Sequence, residues 1–169
     1  VSLEEKPLYL YCSRDVVHSF LDLKGKTFKT EVDKYVGDFA TIQDLESVST
    51  NNHVYFGNHL YNHDVPLLLS DDELLKSYNK NQEALKVYPN YRSLFAFPFG
   101  QPDTCFSNKQ VNLLLHHGAT KVFSSYPLVN ADTSATYMHR IPLSNFNNTK
   151  ARIWFSILRN SGVLSVASN

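Results

Sequence analysis

Short apolar runs alternate along this chain with longer stretches in which apolar residues recur every three or four positions. LYLYC (8–12) is apolar and aromatic, the pattern of a strand buried on both faces. DVVHSFLDL fits a short helix or a loop, and residues 22–40 scatter Lys, Gly and Asp with only weak periodicity. TIQDLESVSTN (41–51) sets Ile42, Leu45 and Val48 three apart behind Thr41, which predicts a short helix. HVYFG (53–57) predicts the second strand. In SDDELLKSYNKNQEALKVY, Ser70 followed three residues later by Glu73 forms a capping box. The same stretch places Leu74, Leu75, Tyr78, Leu85 and Tyr88 on or near one helical face, with Pro89 as the stop. LFAFPFG (94–100) predicts a third strand broken by Pro98 and Gly100, and SNKQVNLLLHHGA (107–119) a helix running from a Ser cap to Gly118. KVFSSY (121–126) and YMHRIPL (137–143) predict two more strands. NTKARIWFSILRNSG (148–162) predicts a last helix with Ile153, Ile157 and Leu158 inward and Gly162 as stop. Strands alternating with helices at this spacing imply an α/β fold of parallel strands and crossover helices, either a barrel or an open sheet.

The 169 residues are 43% apolar, enough for one full core, so a single domain over 1–169 is expected. Sixteen basic and sixteen acidic side chains cancel, and neither sign forms a block. That balance argues against a nucleic-acid or anionic-lipid partner and leaves a small molecule or a carbohydrate by elimination. Cys12 and Cys105 are too few and too far apart for a disulfide scaffold or a cysteine zinc site. No apolar run approaches the ~20 residues that span a bilayer, and the start lacks the order of a signal peptide. VSLEEK has the pattern of a helix tail running into KPLYLYC, as though the chain enters its fold partway through.

The stretch GNHLYNH (57–63) follows the second predicted strand, where functional groups gather in such folds. Gly57 would close the strand and permit a sharp turn, and a helical turn after it would aim His59 and His63 the same way. Two imidazoles so placed can share one cation at ~2.0–2.1 Å, the usual distance from zinc to nitrogen. Spacing alone also arises by chance on an exposed helical face, and a third ligand would be required.

With its surroundings, the stretch resembles the polysaccharide deacetylase family, the NodB homology domain. GNHLYNH is similar to the family's GNHTxxH motif, with Leu60 in the Thr or Ser position. LSDDELLKSYNKNQEAL is similar to the acidic helix start that follows it, and LFAFPFGQP resembles the aromatic-Pro-aromatic-Gly motif in its shorter version. FSNKQVNLLLHHGATKVFSSY and YMHRIPLS look like the family's next helix and strand and its late Arg-Ile strand. The likeness covers most of residues 6–160.

The resemblance implies a metal-dependent hydrolase that removes N- or O-acetyl groups from carbohydrate, built on a distorted or incomplete (β/α) barrel. It implies His59 and His63 as ligands of a divalent metal, most simply zinc, and Phe97, Pro98 and Phe99 as walls of the substrate groove. The family's first motif, a strand ending in consecutive aspartates that supply the base and the third ligand, has no match. None of Asp15, Asp22, Asp33, Asp38 or Asp44 stands in that context. The simplest account is that the first strand and helix are missing from this polypeptide, which would leave a sheet edge open to pairing in a homo-oligomer. Ala96 stands where many members carry an arginine, and the proton-donating histidine has no clear counterpart.

His139 is the nearest candidate acid, against a strand histidine held by a structural hydrogen bond. His116 and His117 suit a helix C-terminus, while His18 and His53 have no supporting context. Asp64 fits a loop cap better than a carboxylate orienting an imidazole. Arg140 fits either a carboxylate partner in the groove or a surface role. A noncatalytic carbohydrate-binding domain that kept the groove and lost the acid–base groups is the alternative expectation.

Overall fold

The computed structural model describes residues 40–142 and 149–161. The predicted strand at 8–12 and four of the aspartates considered above, Asp15, Asp22, Asp33 and Asp38, therefore lie outside the described residues. Backbone contacts divide the chain into two units, with Tyr88–Asn90 grouped with the residues up to Tyr55 and the remainder running from Phe56 onward.

In the first unit, helix α1 (Ile42–Val48) begins as its sequence predicts. Thr41 accepts from the Asp44 backbone while the Asp44 carboxylate accepts from the Thr41 N–H, a closed capping box. The carboxylate of Asp44 is held below its ordinary pKa first by the Thr41 hydroxyl and then by this N–H. Asn90 is buried and donates to the carbonyls of Val48 and Val54, tying the end of α1 to the turn after it.

The second unit is α/β, with a four-stranded, all-parallel sheet in the order β1 (Phe56–Asn58), β2 (Tyr91–Ala96), β3 (Lys121–Phe123), β4 (Tyr137–Met138). Helix α2 (Asp71–Leu85) connects β1 to β2, and α3 (Asn108–His116) connects β2 to β3. Both start where the sequence places them, at the Ser70/Glu73 and Ser107/Gln110 capping boxes. α2 ends at Leu85, short of the predicted stop at Pro89, with Lys86 as its cap. Beyond α3, Gly118 takes φ +98°, the left-handed geometry that favours glycine after a helix.

Side-chain alternation gives the sheet two distinct faces. Phe95, Phe97 and Val122 point to one face, where α2 packs on β1 and α3 on β3. There an aromatic chain runs from Tyr78 to Phe95 at 5.8 Å, to Phe97 at 4.9 Å, and on to Phe106, stacked on Phe97 at 3.8 Å. Leu74, Val111 and Leu114 of the two helices complete this core. Gly57, Leu94, Ala96 and Phe123 belong to the opposite face. A sheet whose strands follow one another in order, each joined by a right-handed crossover, gathers its helices on one side in this way.

The strands are shorter than the sequence suggests. YMHRIPL contributes only Tyr137 and Met138, and LFAFPFG contributes its first three residues to a strand that starts earlier, at Tyr91. The last helix, α4 (Lys150–Asn160), forms behind a Thr149 cap but buries no residue. Leu158, expected inward, is 48% exposed, beside exposed Trp154 and Phe155. Gly162 lies outside the described residues.

Candidate functional site

The strand β1 delivers GNHLYNH to the C-terminal end of the sheet, but the stretch does not form the expected helical turn. Gly57 is itself within β1, and a Cβ there would stand 3.2 Å from the Leu94 carbonyl oxygen, so its smallness allows close approach to β2. The reversal comes afterwards, at Leu60 (φ 64°) and His63 (φ 57°), left-handed positions that cost a non-glycine residue about 1 kcal/mol each.

Helix α2 holds this strained turn in place. Asn58, 1% exposed, points away from His59 into the helix-covered face. Its Nδ2 donates to the Tyr78 carbonyl at 2.8 Å, and its Oδ1 accepts from the Leu60 N–H and from Asn81 Nδ2, both at 3.0 Å. Ser77 Oγ accepts the Tyr61 N–H at 3.1 Å, and Lys80 Nζ sits 3.8 Å from the Tyr61 ring centre. Sequence reasoning passed over Asn58, Ser77 and Asn81. A polar residue at a helix-facing position of a buried strand was the available signal for Asn58.

The two imidazoles come together. Their ring centroids are 4.8 Å apart at an interplanar angle of 72°. His59 Nδ1 lies 2.6 Å from the carbonyl oxygen of Ala96 at the end of β2. A carbonyl only accepts, so Nδ1 carries the proton and Nε2 keeps its lone pair. Burial pushes the His59 pKa down; the Ala96 bond opposes this, and His63 and Arg140 add to the depression. The ring is therefore neutral at pH 7, the form that ligates a metal.

Two imidazoles on one tetrahedral ion, each at ~2.0–2.1 Å from metal to nitrogen, have centroids roughly 5 Å apart. The observed separation fits such a pair, and the Ala96 carbonyl supplies the orienting contact that ligating histidines usually have. No group of three or more His, Cys, Asp or Glu side chains suited to a metal occurs among the described residues.

Of the aromatic segment, Phe97 and Pro98 are fully buried, Phe97 in the core stack with Phe106. They do not form a groove wall. Phe99 does reach the surface, at φ 61°, with its ring 5.0 Å from that of His63. Gly100 follows at φ +66°, where any Cβ would lie 2.6 Å from Ser125 Oγ.

His139 is not with this pair. Alternation along the chain after β3 and β4 sets Tyr137 and His139 on one side and Arg140 on the other. His139 Nδ1 lies 2.8 Å from Oγ of the buried Ser124, and its backbone N–H and carbonyl both bond the Asn130 side chain. These bonds hold His139 in place just beyond β4. His116 and His117 each place Nδ1 on a carbonyl four residues back, at 2.7 and 2.8 Å, as their place near a helix end implies. Asp64 does not cap: the 3-10 turn Pro66–Leu68 starts at Val65 without a side-chain bond.

Arg140 faces the site. An open cavity of about 310 Å³ lies at the strand ends, lined by Gly57, His59, Leu94, Ala96, Phe123 and Arg140 among others. Arg140 Nε donates to the Ser124 carbonyl at 2.9 Å.

Comparison of the chain with family models, curated proteins and solved structures returned no match. Among the described residues no helix is long and apolar enough to cross a membrane.

Proposed function

We propose that this chain is a metal-dependent carbohydrate deacetylase domain built on a distorted (β/α) barrel. The observation that carries the reading is the pairing of His59 and His63, 4.8 Å between centroids, at the C-terminal end of a parallel sheet. That is where α/β folds collect their catalytic groups.

Bound there, a divalent ion such as zinc would polarise an acetyl carbonyl and lower the pKa of a water. The residues of this chain have separate tasks. His59 offers Nε2 because Ala96 occupies Nδ1, and the turn fixed by Asn58 keeps His63 beside it. Phe99 sets its ring 5.0 Å from that of His63, which is itself exposed. Phe123, Leu94 and Ala96 give the cavity an apolar wall suited to the C–H face of a sugar.

Among the described residues the cavity lining holds no carboxylate. This observation favours a second reading, a noncatalytic carbohydrate-binding domain with the same groove. Zinc content and acetate release from acetylated amino-sugar oligomers, compared between the natural protein and His63→Ala, separate the two. Deacetylation predicts that the variant loses metal and turnover together. Metal and turnover equal to the natural protein's refute it.

A further inference from the structure

Arg140 is an exposed cation at the mouth of a cavity that already carries an imidazole, and it pairs with no acid among the described residues. Its Nε is anchored on the carbonyl of Ser124, a fully buried residue. The other four N–H donors of its guanidinium make no hydrogen bond or ion pair among the described residues. Among the described residues the lining contains His59 and Arg140 and no acid, so its potential favours an anion. Partial burial holds the Arg140 pKa below its ordinary value.

The shape of that donor set selects the anion. A guanidinium whose Nε is already engaged presents its remaining edge as a planar fork, which matches the two oxygens of a carboxylate. Across the cavity, Leu94, Ala96 and Phe123 supply apolar surface rather than further donors. A tetrahedral phosphate would leave oxygens facing those side chains without partners. The volume of about 310 Å³ is at the lower end for ligand clefts, enough for one sugar ring.

We propose that this cavity binds a carboxylate-bearing sugar residue, a hexuronate, with Arg140 receiving the carboxylate and Phe123 facing the ring. Resting on the carbohydrate reading above, this makes acetylated acidic saccharides the substrate class. Arg140 then acts as a specificity-determining residue and takes no part in bond cleavage.

The test is a set of calorimetric titrations of the full chain at low ionic strength, with chelator present to remove any metal. Glucuronate, glucose and glucose 6-phosphate are the probes. Glucuronate should bind at least tenfold more tightly than glucose, and Arg140→Gln should abolish that preference. Arg140→Lys should restore only part of it, because an ammonium supplies charge without the fork. The preference of the natural protein for glucuronate over glucose needs no variant, so it decides the matter even if Arg140→Gln fails to fold. Equal binding of the two sugars, an undiminished preference in a folded Arg140→Gln variant, or tighter binding of glucose 6-phosphate than glucuronate each overturns the proposal. Because no metal is present, the outcome is independent of whether His59 and His63 support turnover.

Discussion

Replacing Asn58 by alanine removes three hydrogen bonds from a side chain 1% exposed. Their losses are unequal. The Leu60 N–H belongs to a residue 5% exposed, so leaving it unpaired costs about 1–3 kcal/mol. The Tyr78 carbonyl lies within α2 and keeps its helical bond, and half-buried Asn81 can turn to water. Each of those two losses is worth about 1 kcal/mol. The sum is about 3–5 kcal/mol, a large part of the ~5–15 kcal/mol that stabilises an ordinary domain. Urea unfolding followed by far-ultraviolet circular dichroism measures it. With an m-value of ~1–3 kcal/mol/M, the midpoint should fall by more than 1 M. Asn81→Ala should cost about 1 kcal/mol, and the double variant should cost less than the sum of the two because they share a bond. A loss for Asn58→Ala no greater than that for Asn81→Ala would show that this network does not hold the histidine turn.

The depressed pKa of His59 gives stability a definite dependence on pH. The unfolded imidazole titrates near ~6.5 and the folded one below it, so in between the unfolded state binds more protons. Stability is therefore greatest above about 6.5 and declines as pH falls through the lower folded value. His59→Gln should flatten that decline in urea midpoints taken from neutral to acid pH, and an unaltered slope would contradict it. Gly100→Ala should cost about 2–5 kcal/mol, combining left-handed strain with overlap on Ser125. Gly118→Ala has the strain (φ +98°) but open space around it, and should cost only about 1–2 kcal/mol. Equal shifts of the two melting temperatures would remove the steric argument.

Features set by neighbouring residues were legible in the sequence. The helix starts at Thr41, Ser70 and Ser107, and the glycine after α3, depend on contacts within a few positions, and each stands where the pattern places it. The parallel arrangement followed from the spacing of apolar runs. Features that depend on a distant surface were not legible. Periodicity identified Ile153, Ile157 and Leu158 as one face of α4, but it carries no information on what covers that face. The same limit applies to LFAFPFG, where Phe97 stacks on Phe106 and only Phe99 emerges. Histidine spacing identified the pair at 59 and 63, whereas the left-handed turn that joins its members depends on Asn58 and on a helix about twenty residues away.

Between Phe56 and Asn58 the pairing of β1 with β2 jumps from Tyr91 to Phe95, so two steps along one strand meet four along the other. An even ladder would set Asn58 opposite Ser93 and bring His59 level with Leu94. The extra length carries the Ala96 carbonyl to the imidazole instead. The uneven pairing of two backbones thus decides which ring nitrogen of His59 is left free, because the oxygen that engages the other one comes from the strand with the surplus residues.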